Sequence, residues 1–159
     1  MRIRLLATVT VITTLTSCGG GDGTGSEKSI PSVQLECSSA QVGDCSLDGK
    51  MAYAGLIESL VLDCDGTLHG LTASQRQQLF AVTGSAVASR TGIYLIARIS
   101  SWFNNSGGSQ NVLNSGNYPV CAFIDSNGNG QLDTGEPVGS GQTATGAGTY
   151  VLSSWAAAR

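Results

Sequence analysis

The pattern in this chain best suited to chemistry is Asp125-Ser126-Asn127-Gly128-Asn129-Gly130-Gln131-Leu132-Asp133-Thr134-Gly135-Glu136. It fits the calcium-loop spacing D-x-[DN]-x-[DN]-G-x₅-E at every fixed position. Calcium is a hard cation that takes roughly six to eight oxygens, and this spacing supplies them. Side-chain oxygens of Asp125, Asn127 and Asn129 come from the first, third and fifth positions, and Gly130 permits the sharp turn at the sixth. Gln131 offers its backbone carbonyl, Asp133 reaches the ion directly or through water, and Glu136 closes the shell with both carboxylate oxygens. Leu132 is the apolar anchor of the loop. The alternative is a polar Asn-Gly turn that binds nothing. A calcium ion held here is expected to be structural rather than signalling, because extracellular modules bind calcium at ~10⁻⁴–10⁻³ M, which suits a constant external supply.

The flanks do not fit an EF-hand, in which a helix stands on each side of the loop. Tyr118-Pro119-Val120-Cys121-Ala122-Phe123-Ile124 reads as a strand, and Pro137 and Gly139 follow Glu136 where a helix should continue. The loop is therefore EF-hand-like but set between strands. The run Ala122-Phe123-Ile124-Asp125, Asn127-Gly128-Asn129-Gly130 and Asp133-Thr134-Gly135-Glu136-Pro137-Val138-Gly139 resembles the calcium-binding prealbumin-like β-sandwich domains of bacterial surface proteins. These include the B repeats of staphylococcal adhesins and many lipoprotein modules. The resemblance implies a structural Ca²⁺ that locks a loop between strands and stiffens the module. In this chain the loop lies near the C-terminus, which leaves the strand order open.

A second pattern is Leu60-Val61-Leu62-Asp63-Cys64-Asp65-Gly66-Thr67-Leu68, which resembles the first motif of haloacid-dehalogenase-type phosphatases. The resemblance would make Asp63 the nucleophile and Asp65 the general acid of a small envelope phosphatase, with magnesium alongside; Ser100 could pose as the next motif. That chemistry also needs a downstream cation for the phosphate and a later acidic pair. No lysine follows Lys50, Arg90 and Arg98 are poorly placed, and no alternation of strand and helix accompanies the motif. The plain reading is an acidic Asp-Gly turn at a strand end. Other catalytic sets are missing: His69 has no evident nucleophile partner, and no Gly-x-Ser-x-Gly elbow is present.

The elements that must position these residues read as short strands between turns. Val33–Cys37, Lys50–Gly55, Ile57–Leu62, Ile93–Ile99, Tyr118–Ile124 and Thr149–Ser153 are expected as strands, separated by Gly and Asn clusters. Thr72-Ala73-Ser74-Gln75 either opens a helix running through Ala88 from a capping box, or gives way to a strand over Gln78–Thr83. The expected fold is all-β, a single β-sandwich of prealbumin-like or Ig-like type with a short helix near 72–88. Cys37, Cys45, Cys64 and Cys121 are an even set in an exported chain, so two disulfides are expected. Of the three pairings, Cys37–Cys45 with Cys64–Cys121 is favoured. Zinc is disfavoured, because there is no Cys-x-x-Cys pair and His69 is the only histidine.

Export is read from the N-terminus. Arg2 and Arg4 precede the uncharged run Leu5–Leu15, which is far shorter than the ~20 residues of a membrane span. Leu15-Thr16-Ser17-Cys18 resembles the lipobox of bacterial lipoproteins, against the alternative of an ordinary signal with an incidental cysteine. The resemblance implies a signal peptide over 1–17, diacylation (palmitate-type) of Cys18, a membrane attachment through that lipid, and, with Gly19 next, sorting to the outer membrane. A Gly-rich tether over 18–30 then carries a domain over 31–159. Charge is sparse at 12% and the net charge is −3, which becomes −5 once Arg2 and Arg4 are removed. Lys50, Arg76, Arg90 and Arg98 are scattered, so nucleic acid has no electrostatic footprint here. The expectation is a non-enzymatic, calcium-stabilised structural or binding module on the bacterial envelope, with a protein or glycan partner that its residues do not name. An envelope assembly or inhibitor lipoprotein is a further alternative.

Overall fold

The computed structural model describes residues 31–38, 41–42, 45, 48–57, 63–106, 108–110, 118–144 and 148–159. The expected signal over 1–17, Cys18 and the tether over 18–30 lie outside the described residues, as does all of the expected strand Ile57–Leu62 except Ile57 and that residue is not in a strand. In chain order the elements are β1 (Pro31–Ser38), β2 (Met51–Leu56), α1 (Cys64–Leu68), α2 (Ala73–Leu79), β3 (Val82–Val87), β4 (Ser89–Thr91), β5 (Tyr94–Ile99), β6 (Trp102–Asn104), β7 (Ser109–Gln110), β8 (Tyr118–Asp125), β9 (Pro137–Ala144), β10 (Gly148–Leu152) and β11 (Trp155–Ala157).

The strands form two sheets, one in the order β10-β1-β5-β4 and the other in the order β11-β9-β8-β2-β3-β6-β7. β1 runs parallel to β10, whereas β1–β5, β2–β3, β2–β8 and β8–β9 are antiparallel. Alternation sets which face is buried. Val33, Leu35 and Cys37 of β1 join Leu95, Ala97 and Ile99 of β5, and these pack with Ala52, Ala54, Leu56, Val120, Ala122 and Ile124 of the other sheet in one core. The fold is thus a β-sandwich, as its alternating strands predict.

The larger sheet has a second core on its outer face. Phe80, Leu68, Cys64, Cys121, Phe123, Leu132 and Val138 cluster there beneath the two short helices. β8 is therefore covered on both sides, which explains why Val120-Cys121-Ala122-Phe123-Ile124 is a continuous apolar run rather than an alternating one. Gly55 is needed in this layer because the Phe80 ring lies over it: a Cβ at Gly55 would come within 2.2 Å of that ring.

The segment after Thr72 corrects a sequence expectation. The capping box forms, with the Gln75 N–H donating to the Thr72 hydroxyl and the Thr72 N–H to Gln75 Oε1. The helix nevertheless stops at Leu79 instead of running through Ala88, and the strand spans Val82–Val87 rather than Gln78–Thr83. Val82 and Thr83 are β-branched, and the backbone of this stretch pairs along the whole of β2, which outweighs its weak helix propensity. Both favoured disulfides are present: Cys37–Cys45 closes the end of β1, and Cys64–Cys121 ties α1 to β8, each with Cα atoms 5.4 Å apart.

Candidate metal loop

The calcium-pattern segment links two antiparallel neighbours of one sheet. Asp125 is the last residue of β8, and β9 begins at Pro137, directly after Glu136. Gly128 and Gly130 have φ of 82° and 76°, a left-handed conformation that suits glycine and turns the chain back on itself. Both end carboxylates are buried, Asp125 at 2% exposure and Glu136 at 4%. Asp125 Oδ1 accepts from the Gly128 N–H at 2.6 Å and Oδ2 from the Gly130 N–H at 2.7 Å. Glu136 Oε1 accepts from the N–H groups of Ser126 and Asn127 at 2.7 and 3.2 Å, and Oε2 from Asp133 N at 3.1 Å. Asn127 Oδ1 and Asn129 Oδ1 each accept from the N–H two residues on, making successive Asx turns.

The segment thus folds around its own carboxylates, but not all the expected ligands converge. Asp133 Oδ2 accepts from Nδ2 of Asn127 at 2.7 Å and of Asn129 at 2.6 Å, and these two bonds, with His69 nearby, hold the Asp133 carboxyl below the usual range. Among the described residues, no three His, Cys, Asp or Glu side chains stand close enough together to hold a metal ion. Two observations still leave room for a cation. Neither Asp125 nor Glu136 has a cationic side chain within ion-pair distance among the described residues, although both are buried. The Ser126 hydroxyl, inside the same loop, is buried with no hydrogen-bond partner.

Four supports around the loop carry no motif and are not legible in the sequence. Arg76 of α2 donates from Nη1 to the carbonyls of Gly130 at 2.6 Å and Leu71 at 2.8 Å, with its guanidinium over the Tyr53 and Phe123 rings. Burial lowers the pKa of Arg76, against the opposing influence of Tyr53 and Asp125. Lys50 donates to the Ser126 carbonyl. The end of α1 pairs with the loop through a His69–Leu132 bridge, with the Gly70 N–H donating to the Leu132 carbonyl at 3.0 Å, and Leu132 is fully buried as an apolar anchor should be. The C-terminal residues close the other side, where Gly135 N donates to Ala158 O and Ala158 N to Glu136 O, both at 2.8 Å.

The Asp63–Asp65 motif sits elsewhere. Asp63 is the N-cap of α1, and Cys64 is held in the disulfide with Cys121. Asp65 Oδ2 accepts from the backbone N–H of Arg159 at 3.0 Å and from its Nε at 3.2 Å. Burial pushes the Asp65 carboxyl up, but the Arg159 bonds and charge, with His69, outweigh it and hold it below the usual value. No parallel strand leads into Asp63 among the described residues, so the βα frame of a dehalogenase-type phosphatase is not found there. Ser100 follows β5 in the other sheet from β8 and β9. Comparisons with protein-family models, with curated proteins and with solved structures find no match for this chain.

Proposed function

We propose that this chain is a lipid-anchored, calcium-stabilised β-sandwich module of a bacterial envelope, acting by display and binding rather than by catalysis. The observation that carries the proposal is the pair Asp125 and Glu136: two carboxylates buried at the two ends of one loop with, among the described residues, no cationic side chain within ion-pair distance of either. Buried charges are normally paired or bound to metal. Asp125, Asn127, Asn129, Asp133 and Glu136, with the carbonyl of Gln131, would hold the ion, and their all-oxygen character suits Ca²⁺ rather than zinc. Calcium would supply the positive charge that balances the acids and would fix the β8–β9 connection.

The lipid anchor rests on the Leu15–Cys18 motif and on two disulfides that suit an oxidising compartment. Two measurements test the proposal. Chelation by EGTA should lower the melting temperature and added calcium restore it; an unchanged melting curve means that the loop is a self-sufficient polar turn. Replacing Cys18→Ser should release the protein from the membrane fraction, and its retention there would remove the anchor from the proposal.

A further inference from the structure

On the outer face of the larger sheet, α2 encloses a pocket with β2, β3 and β6, of about 130 Å³. Phe80, Phe103, Phe123 and Leu68 give it apolar walls, and Arg76 is the one charged residue that lines it. Arg76 is only 6% exposed. Its Nη1 is saturated by the Leu71 and Gly130 carbonyls. Its Nε and Nη2 make no hydrogen bond among the described residues, and no carboxylate lies within ion-pair distance of it there. A nearly buried guanidinium that lines an apolar pocket and keeps Nε and Nη2 without a partner among the described residues can receive an anion through two parallel hydrogen bonds.

Size and walls narrow the occupant. An apolar cavity of about 150 Å³ holds benzene, whereas drug-sized ligands need roughly 300–1,000 Å³. A nucleotide or a sugar chain could place no more than about one ring inside it. A bare inorganic anion would leave the aromatic walls wet. Phe103, on the rim, is 43% exposed, which is large for an aromatic side chain and offers surface for a bound ring to cover. We propose that this pocket binds a small organic carboxylate with a compact apolar body, one ring or a short alkyl chain, its carboxylate seated on Nε and Nη2 of Arg76. The proposal does not depend on calcium in the neighbouring loop.

The test titrates the full-length chain, in EGTA, with three probes followed by calorimetry and by amide NMR shifts. Phenylacetate carries both features, 2-phenylethanol lacks the charge, and acetate lacks the apolar body. Phenylacetate is expected to bind at least about tenfold more tightly than either of the others, since hydrogen bonds to a charged group are roughly twice as strong as neutral ones. Its shifts should centre on Phe80, Thr83 and Phe103. Equal binding of the alcohol, absence of saturable phenylacetate binding, or shifts centred elsewhere would each overturn the proposal. Arg76→Gln should remove the preference for the acid. Because Arg76 also holds two backbone carbonyls, Thr83→Leu provides a second variant that fills the pocket from β3 without touching them. It should keep the native circular dichroism spectrum and lose phenylacetate binding; undiminished binding in Thr83→Leu overturns the assignment.

Discussion

Arg76 Nη1 lies 2.6 Å from the carbonyl oxygen of Gly130, so a helix and an acidic loop 54 residues apart in sequence are joined by one half-buried bond. The bond falls at the turn of the loop, where the left-handed glycine reverses the chain. It makes the loop's shape depend on α2, and through the stacking of Arg76 on Tyr53 and Phe123 it makes both depend on the outer core.

Arg76→Ala should therefore destabilise the fold by about 1–3 kcal/mol, since it leaves two half-buried carbonyls without their partner, and a fully buried group so orphaned costs roughly 1–3 kcal/mol. Urea unfolding followed by tryptophan fluorescence measures this. Arg76→Lys should recover part of the loss, because an ammonium can still donate but cannot stack as a plane. A loss under about 1 kcal/mol for the alanine variant would show that the bond is dispensable.

Calcium should stabilise the chain by mass action. At ten times its dissociation constant, an ion that binds only the folded state adds about 1.4 kcal/mol, enough to move the melting temperature by several degrees in a domain of this size. Glu136→Gln should abolish that calcium-dependent increment. An equal increment in wild type and variant would place the ion elsewhere.

The two disulfides should differ in worth. Cys64–Cys121 spans 57 residues and Cys37–Cys45 only 8. Loop-closure entropy then assigns about 4 kcal/mol to the first and less than about 3 to the second. Denaturant midpoints of Cys64→Ala/Cys121→Ala and Cys37→Ala/Cys45→Ala double variants test the ranking, and the reverse order would mean that native-state packing outweighs chain entropy.

Asp65 predicts an acid-labile contact. Its folded pKa lies below the ordinary 3.8, so its stabilising contribution is present above that value and is lost as the pH falls through the folded value. Stability should thus be insensitive to this group from pH 7 to 5 and fall below about pH 4. Asp65→Asn should flatten part of that acid limb. Because Arg159 is largely exposed, the effect should be modest and should shrink in high salt.

What could be read in the sequence was local. Alternation of side chains marks β1 as a strand, the β-branched and aromatic residues of Ile93–Ile99 mark β5, and the run from Val120 to Ile124 marks β8, since each signal lies within one chain segment. The Thr72–Gln75 capping box marks the start of α2 for the same reason: its two hydrogen bonds close within four residues. The Asp125–Glu136 segment was visible as a loop with no helix on either side, because Pro137 and the strand before Asp125 exclude one.

Tertiary structure decided the rest. The end of α2 at Leu79 follows from the pairing of β3 with β2, a partner distant in sequence; the β-branched Val82 and Thr83 favour a strand there but do not fix where it starts. α1 carries only a turn signal in the sequence, because a helix of five residues is held by its disulfide and packing rather than by propensity. β9 has no strand signal in the sequence, because its glycines and polar residues hide a strand that is defined by β8 and β11 on its two sides. Which carboxylates of the loop are buried, which amides they accept from, and that Arg76 rather than any nearby residue closes its turn are facts of three-dimensional contact. Sequence spacing specifies which oxygens the loop can offer; only the packing of α1, α2 and the C-terminal residues around it decides where those oxygens point.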